Sequence, residues 1–197
     1  MHSRITRIVL VSASLVVLLA SPAAYAAEPV VLFDGKTLDG WDVLTCEAVV
    51  QDGCILLKSG NGLVQAKKQY GDFVLEYEWK ALKPDNWDSG VYFRYPSVPK
   101  GQPWPPRYQV NLRKGAEGDL DANKDGKNRV PTKAGEWNKF ELTVKGHTAA
   151  LKVNGQPSWQ VSGIEPANGY VSLQAEIPGG GQFLFRNIRI TELMPTR

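Results

Sequence analysis

The chain has 197 residues, 43% of them hydrophobic and 22% charged, with 23 basic and 20 acidic side chains and a formal net charge of +3. That suits one domain with a real core. The near balance of charge, with no basic stripe interleaved with aromatics, argues against a nucleic-acid surface, and two histidines and two cysteines give no zinc spacing.

In chain order, Arg4 and Arg7 precede an apolar run from Ile8 to Ala20, and Ala24-Tyr25-Ala26 has the small-x-small form that a signal peptidase reads. This predicts a signal peptide over 1–26, cleavage before Ala27, and export to the periplasm or the extracellular space. The apolar run is short for a membrane span, so none is expected in the mature form, residues 27–197. Without Arg4 and Arg7 the chain is close to neutral.

Beyond Ala27 the pattern is nearly all β. Apolar and polar residues alternate in short runs separated by Gly, Pro, Asp-Gly and Asn-Gly. The expected strands are Val30–Phe33, Cys46–Val50, Cys54–Leu57, Gly62–Ala66, Asp72–Ala81, Gly90–Tyr95, Arg107–Leu112, Lys139–Lys145, Thr148–Val153, Gly169–Glu176 and Gln182–Leu193. Such a series predicts a sandwich or jelly roll of two antiparallel sheets. Cys46 and Cys54 flank Gln51-Asp52-Gly53. A two-residue turn at Asp52-Gly53 would set Gln51, not Cys46, opposite Cys54. A bridge would then need a bulge or a longer loop, and both redox states stay open.

Two loops are long for this kind of fold. Pro96–Pro106 holds Trp104 among five prolines, and Ala116–Lys133 is rich in Asp, Asn, Lys and Gly. Long ordered loops of compact β-domains often border binding sites. In the second, Asp121, Asn123 and Asp125 match the first half of an oxygen-ligand calcium loop, D-x-N-x-D-G, which makes a divalent cation conceivable. Against this, Thr132 stands where a bidentate Glu is expected, and Lys124, Lys127 and Arg129 oppose a cation. A plain Asx-rich turn is the preferred reading. His147 lies in a turn between two expected strands and reads as exposed.

Strand alternation sorts the side chains by face. Phe73, Leu75, Tyr77 and Trp79 oppose Val74, Glu76 and Glu78; Val91 and Phe93 oppose Tyr92 and Arg94; Val110 and Leu112 oppose Gln109 and Asn111; Val171, Leu173 and Ala175 oppose Ser172, Gln174 and Glu176. If these four strands neighbour one another, Glu76, Glu78, Tyr92, Arg94, Gln109, Asn111, Gln174 and Glu176 form one polar surface. Amides, carboxylates and a guanidinium suit sugar hydroxyls, and Tyr92, Trp87 and Trp104 could offer apolar faces to sugar rings. For any single residue, an ordinary solvated sheet face is the simpler reading.

Six segments stand in an ordered series: Leu32-Phe33-Asp34-Gly35-Lys36-Thr37-Leu38-Asp39-Gly40-Trp41, Ser89-Gly90-Val91-Tyr92-Phe93-Arg94, Ala134-Gly135-Glu136-Trp137-Asn138, Val153-Asn154-Gly155, Gly169-Tyr170-Val171-Ser172-Leu173-Gln174 and Phe185-Arg186-Asn187-Ile188-Arg189-Ile190. The series, from Val31 to Leu193, resembles the 3-keto-disaccharide hydrolase family. The resemblance implies a concanavalin A-like jelly roll and cleavage of 3-keto-disaccharides or 3-keto-glycosides. The implied steps are C2 proton abstraction, C1 elimination and hydration, with a sugar 3-dehydrogenase supplying the substrate. Many relatives carry Tyr-Glu-x-Gln where this chain has Tyr108-Gln109-Val110-Asn111, and a His shortly after the Leu-Gln of a later strand, where this chain has Leu173-Gln174-Ala175-Glu176. On this footing Glu176 is the catalytic base or acid, with Glu78 as a second candidate, Arg94 polarises the keto oxygen, and Gln109, Asn111 and Gln174 hold hydroxyls. The alternatives are a non-catalytic carbohydrate-binding module on the same face, a glycosidase pairing Glu176 with Glu76 or Glu78, and a structural envelope protein.

Overall fold

Strands that are apolar on one face must stack that face against another sheet. The computed structural model describes residues 27–121 and 123–194. The predicted signal peptide therefore lies outside the described residues. Among those described, the elements are β1 (Val30–Val31), β2 (Trp41–Gln51), β3 (Cys54–Ala66), β4 (Phe73–Ala81), β5 (Gly90–Tyr95), β6 (Gln109–Asn111), β7 (Asn138–Lys145), β8 (Thr148–Val153), β9 (Gln156–Ser162), β10 (Tyr170–Glu176), the short turn α1 (Ile177–Gly180) and β11 (Phe183–Glu192). No helix among the described residues is long and apolar enough to cross a membrane.

All pairings are antiparallel, in the order β6-β5-β10-β3-β11-β4-β7-β8-β9, with β1 on β11 and β2 on β3. The two sheets expected from the sequence are therefore joined. Cys54–Leu57 and Gly62–Ala66 are the two halves of the single strand β3. Its first half pairs with β11, Leu57 opposite Phe183, and its second with β10, Leu63 opposite Gln174. Between the halves lies Gly60, at φ +84°, where a Cβ would stand only 3.0 Å from the Cys46 Cα. β2 follows β3 through two register shifts, one at Thr45 and one between Glu47 and Ala48. Such irregularities let a strand turn a corner from one layer to the next.

One core fills the space between the layers. Val91, Phe93, Val110, Val171 and Leu173 belong to the same buried cluster as Phe140, Leu142, Val144 and Leu151. The two ends of the strand order are also tied together. Trp159 Nε1 on β9 donates to the Gly118 carbonyl at 2.6 Å, and Tyr108 Oη beside β6 donates to the Gly163 carbonyl at 3.1 Å. The result is a jelly-roll sandwich. The β2–β3 hairpin turns at Asp52-Gly53 with Gln51 opposite Cys54, while Cys46 faces Gly60. Both cysteines are free thiols, and burial pushes the Cys46 thiol up to about 11.

Two site expectations are corrected by this topology. β4 lies between β11 and β7, separated from β10 by β3 and β11. Its outward carboxylates are engaged there: Glu78 accepts from Arg186 Nε at 2.7 Å and Asn187 Nδ2 at 2.9 Å, and Glu76 pairs with Lys139 at 2.7 Å. Glu78 and Glu76 therefore belong to a different face from Glu176, and the two-carboxylate reading loses its partner.

Arg94 is the second. The β5–β10 register slips by one residue, from Val171 opposite Phe93 to Tyr170 opposite Tyr95, which leaves Arg94 as the extra residue at φ +50°. A bulge re-aims the side chain that alternation would have placed beside Tyr92. The Arg94 side chain is fully buried. Nε and Nη2 donate to the Gly71 carbonyl at 3.1 and 2.9 Å, Nη1 donates to the Gly146 carbonyl at 2.5 Å, and Nη2 also donates to Asp72 Oδ1 at 2.8 Å. Asp72 Oδ1 accepts from Gly146 N as well. The guanidinium thus knots β5 to the start of β4 and the β7–β8 turn, and it is not free to polarise a substrate oxygen. Arg94→Met should lower the unfolding free energy by about 3–5 kcal/mol, the usual cost of breaking a buried ion pair, read from urea denaturation at neutral pH. A loss no larger than that of a surface pair, about 0–1 kcal/mol, would show that the knot is not an anchor.

Candidate active site

The strands β5 and β6 and the interior of β10 are buried on both faces. One side is core. The other carries Tyr92 opposite Gln109 and Ser172, and Gly90 opposite Asn111 and Gln174. Gly90 leaves a gap that the neighbouring side chains use. A Cβ there would lie 1.9 Å from Gln109 Nε2. Gln109 therefore crosses over β5 and donates from Nε2 to Gln174 Oε1. Gln174 Nε2 in turn donates to Glu176 Oε2 at 3.1 Å, and its backbone carbonyl accepts from Ser89 Oγ at 2.7 Å. The two glutamines are 5% and 4% exposed, so this face is a covered relay rather than an open groove.

The relay ends where the surface opens. Glu176, half-buried, lines a cleft of about 330 Å³ together with Asn86, Trp87, Asp88, Arg113, Lys114 and Gly179. The backbone holds its walls together. Asp88 N donates to the Gly180 carbonyl at 3.1 Å, and a Cβ on Gly180 would stand 2.1 Å from the Asp88 carbonyl oxygen. Lys83 Nζ donates to the Asn86 and Gly179 carbonyls at 3.2 and 2.9 Å. Behind Arg113, Asn111 Nδ2 donates to Asp121 Oδ1 and Oδ2 at 3.1 and 3.2 Å, and Asn111 Oδ1 accepts from Arg113 N at 2.5 Å.

The cleft sets two half-buried carboxyls, Asp88 and Glu176, among two cations, Arg113 and Lys114. Burial, then the like charge of Asp88, raises the Glu176 carboxyl above its ordinary value, while Arg113 opposes the shift. Burial also raises Asp88, with Arg113 lowering and Asp121 raising it. Desolvation leads again at Tyr92, whose phenol is raised further by Asp121, Glu176 and Asp88. The shifts of both carboxyls run upward, toward the working pH, which is the direction an acid–base site needs.

Of the residues singled out in the sequence, Gln109, Asn111, Gln174, Glu176, Tyr92 and Trp87 are brought to this edge. Trp87 is core on one side, with Lys114 Nζ 5.3 Å from its ring centroid. Tyr92 packs with Leu63 and Tyr95, and Trp104 covers them, its Nε1 donating to the Gly62 carbonyl at 3.2 Å. These two rings are therefore largely spent on packing rather than displayed to a ligand. Asp121, Asn123 and Asp125 do not converge. Asp121 faces Asn111, while Asn123 Oδ1 accepts from Asp125 N at 2.9 Å and closes an Asx turn. No group of three or more His, Cys, Asp or Glu suited to a metal gathers among the described residues.

Asp88 and Arg113 were missed. Each sits at the end of a strand where alternation stops, and Asp88 reads as an ordinary loop residue before Ser89-Gly90. The adjacency of Asp88 to the gap-forming Gly90 was the available signal.

A family model described as a 3-keto-alpha-glucoside-1,2-lyase-like domain matches residues 28–191. A Bacteroides thetaiotaomicron protein described as a 3-keto-disaccharide hydrolase is 29% identical over 166 residues, covering 64% of this chain and 55% of that protein. The chain thus spans about half the length of this relative. Among solved structures, a Parabacteroides distasonis protein provisionally described as a glycosyl hydrolase superposes with a TM-score of 0.68 at 19% identity, covering 84% of this chain and 94% of that one. The carbohydrate-binding module CBM66 from Bacillus subtilis superposes at 0.59 and 10% identity, covering 76% and 93%. At such identities the structural likeness speaks for the fold.

The raised carboxyls have a cost in stability. A carboxyl whose pKa is higher folded than unfolded binds its proton more tightly in the folded state, so it subtracts stability as pH rises through the carboxylate range. Glu176→Gln should therefore be more stable than wild type at pH 7, with the advantage fading as the pH falls to about 4. Thermal melts across that range test this, and a variant that is less stable at pH 7 but not in acid would reverse the assigned direction.

Proposed function

Since the chain belongs to the 3-keto-alpha-glucoside-1,2-lyase-like domain family, we propose that it is an exported carbohydrate-active hydrolase cleaving 3-keto-glycosides of disaccharide size. The observation that carries this is Glu176: a half-buried carboxyl with a raised pKa, oriented by a buried amide relay and facing a small cleft. A cleft of about 330 Å³ lies at the small end of ligand pockets, which favours a short saccharide over a polymer.

The chemistry follows from the ketone. A carbonyl at C3 acidifies the proton on C2, and the Glu176 carboxylate removes it. The electron pair moves onto the C3 oxygen as an enolate, for which Arg113, lining the cleft, supplies positive charge; Arg94 is committed to its knot. Collapse of the enolate breaks the C1–O bond and releases the substituent. Water then adds at C1 while a proton returns to C2. The sum is hydrolysis, although the bond breaks by elimination. Such a substrate must come from a reaction that oxidises a glycoside at C3, as a sugar 3-dehydrogenase does. Export rests on the pattern of residues 1–26.

A second reading is a carbohydrate-binding module using the same cleft. The neutral Gln109 in place of a carboxylate, with Asn111 in place of a glutamine, favours it, as does the likeness of fold to CBM66. Turnover separates the two. Glu176→Gln should reduce turnover of 3-keto-trehalose or 3-keto-glucosides about 10²–10⁴-fold, followed by release of product sugar. Undiminished turnover by the variant would remove Glu176 from the mechanism. A wild-type protein that binds these sugars saturably and cleaves none would be a binding module.

A further inference from the structure

We propose that Asp88 is the second proton-transfer group of the cleft, acting with Glu176 so that one carboxyl takes the C2 proton while the other gives a proton to the departing oxygen. The reaction rests on the keto-glycoside reading above; the pairing rests on the cleft the two carboxyls share and on the bonds that join their segments.

Elimination across C1 and C2 needs two proton positions, and the lining of the cleft offers few groups to fill them. Asn86, Trp87 and Gly179 carry no exchangeable acid of suitable strength. Arg113 is permanently cationic. Lys114 is paired with Asp85 and lies against Trp87. The two remaining groups are the carboxyls of Glu176 and Asp88.

Their relative position is fixed from both sides. Asp88 N is bonded to the Gly180 carbonyl, just after Glu176, and Ser89 Oγ is bonded to the Gln174 carbonyl, just before it. Residues 88–89 are thereby stitched to residues 174–180. The missing Cβ at Gly180 lets the α1 turn seat directly on the Asp88 backbone. The charged and titratable groups around the pair are Arg113, Lys114 and Asp121 from the segment after β6, Lys83 and Asp85 from the loop after β4, and Tyr92 on β5. Two carboxyls that are part-buried and repel each other hold one proton more readily than none.

One shared proton closes the cycle. The carboxylate of the pair takes the C2 proton as the C2–H electrons form the enolate. The C1–O electron pair leaves with the substituent oxygen, which takes the proton of the other carboxyl. The pair has now exchanged its acid and its base. Water adding at C1 gives its proton to the new carboxylate, and the new acid returns a proton to C2. The pair ends as it began, and no oxidant or reductant is consumed.

The test is a ¹³C-carboxyl NMR titration of the purified protein, its Asp88→Asn variant and its Glu176→Gln variant, with initial rates on 3-keto-glucosides alongside. In wild type, Glu176 and Asp88 should titrate jointly in two steps. Asp88→Asn should leave Glu176 titrating in one step at lower pH, and Glu176→Gln should do the same for Asp88. Asp88→Asn should also cut turnover about 10²–10⁴-fold, with Asp88→Glu restoring part of it. If each carboxyl titrates the same with or without the other's charge, the pairing is overturned, whether or not the protein cleaves keto-sugars. If Asp88→Asn turns over at the wild-type rate, the proton-transfer role is overturned while the functional reading stands. A wild-type protein inactive on every keto-glucoside overturns the reaction, and the titration still decides the pairing.

Discussion

Gln109 reaches Gln174 only because the strand between them is bare at Gly90. Much of the candidate site depends on that crossing. It satisfies two side-chain amides that are otherwise buried, where each unpaired polar group would cost about 1–3 kcal/mol. It aims the Gln174 amide at Glu176, so the only half-exposed member of the chain is the one with chemistry to do. It also leaves the polar face of β5, β6 and β10 buried, with Trp104 packed over Tyr92 and Tyr95, so that a small cleft opens at one end of the strands rather than a groove along them.

Stability and function pull in opposite directions at this end. Two half-buried carboxyls that line one cleft weaken the folded state above the carboxylate range. The opposite end of β5 compensates. There the Arg94 guanidinium, entirely buried, satisfies backbone carbonyls from two other segments and one carboxylate. One short strand thus carries a stabilising charge knot at its C-terminal end and borders an acid cleft at its N-terminal end. The bulge at Arg94 separates these tasks by turning one side chain out of the alternation.

The strand pattern was legible because burial on one face writes itself as period two. Phe73, Leu75, Tyr77 and Trp79 alternate in sequence and point inward in the structure. The Asp52-Gly53 hairpin and its register followed from turn chemistry alone. Alternation could not show where it breaks. A one-residue slip reverses the faces beyond it, and nothing local to Tyr92-Phe93-Arg94 announces the slip that removes Arg94 from the site. Nor could it order the strands: Glu78 was grouped with Glu176 because both are outward, while β3 and β11 stand between them. β9 escaped notice because Pro157 interrupts its pattern at an edge. Asp88 escaped because it lies just before a strand, where period two says nothing.

The most direct test of the account is to follow the side-chain amide resonances of Gln109 and Gln174 in ¹⁵N-labelled protein while a 3-keto-glucoside is added. If the cleft at the end of the relay is the sugar site, the Gln174 amide should shift first and saturably, with Gln109 following and the Trp87 indole responding. Shifts confined to residues around Pro96–Pro106 and Glu165, or to the Glu76–Glu78 face, with both glutamines silent, would place the sugar elsewhere and contradict it.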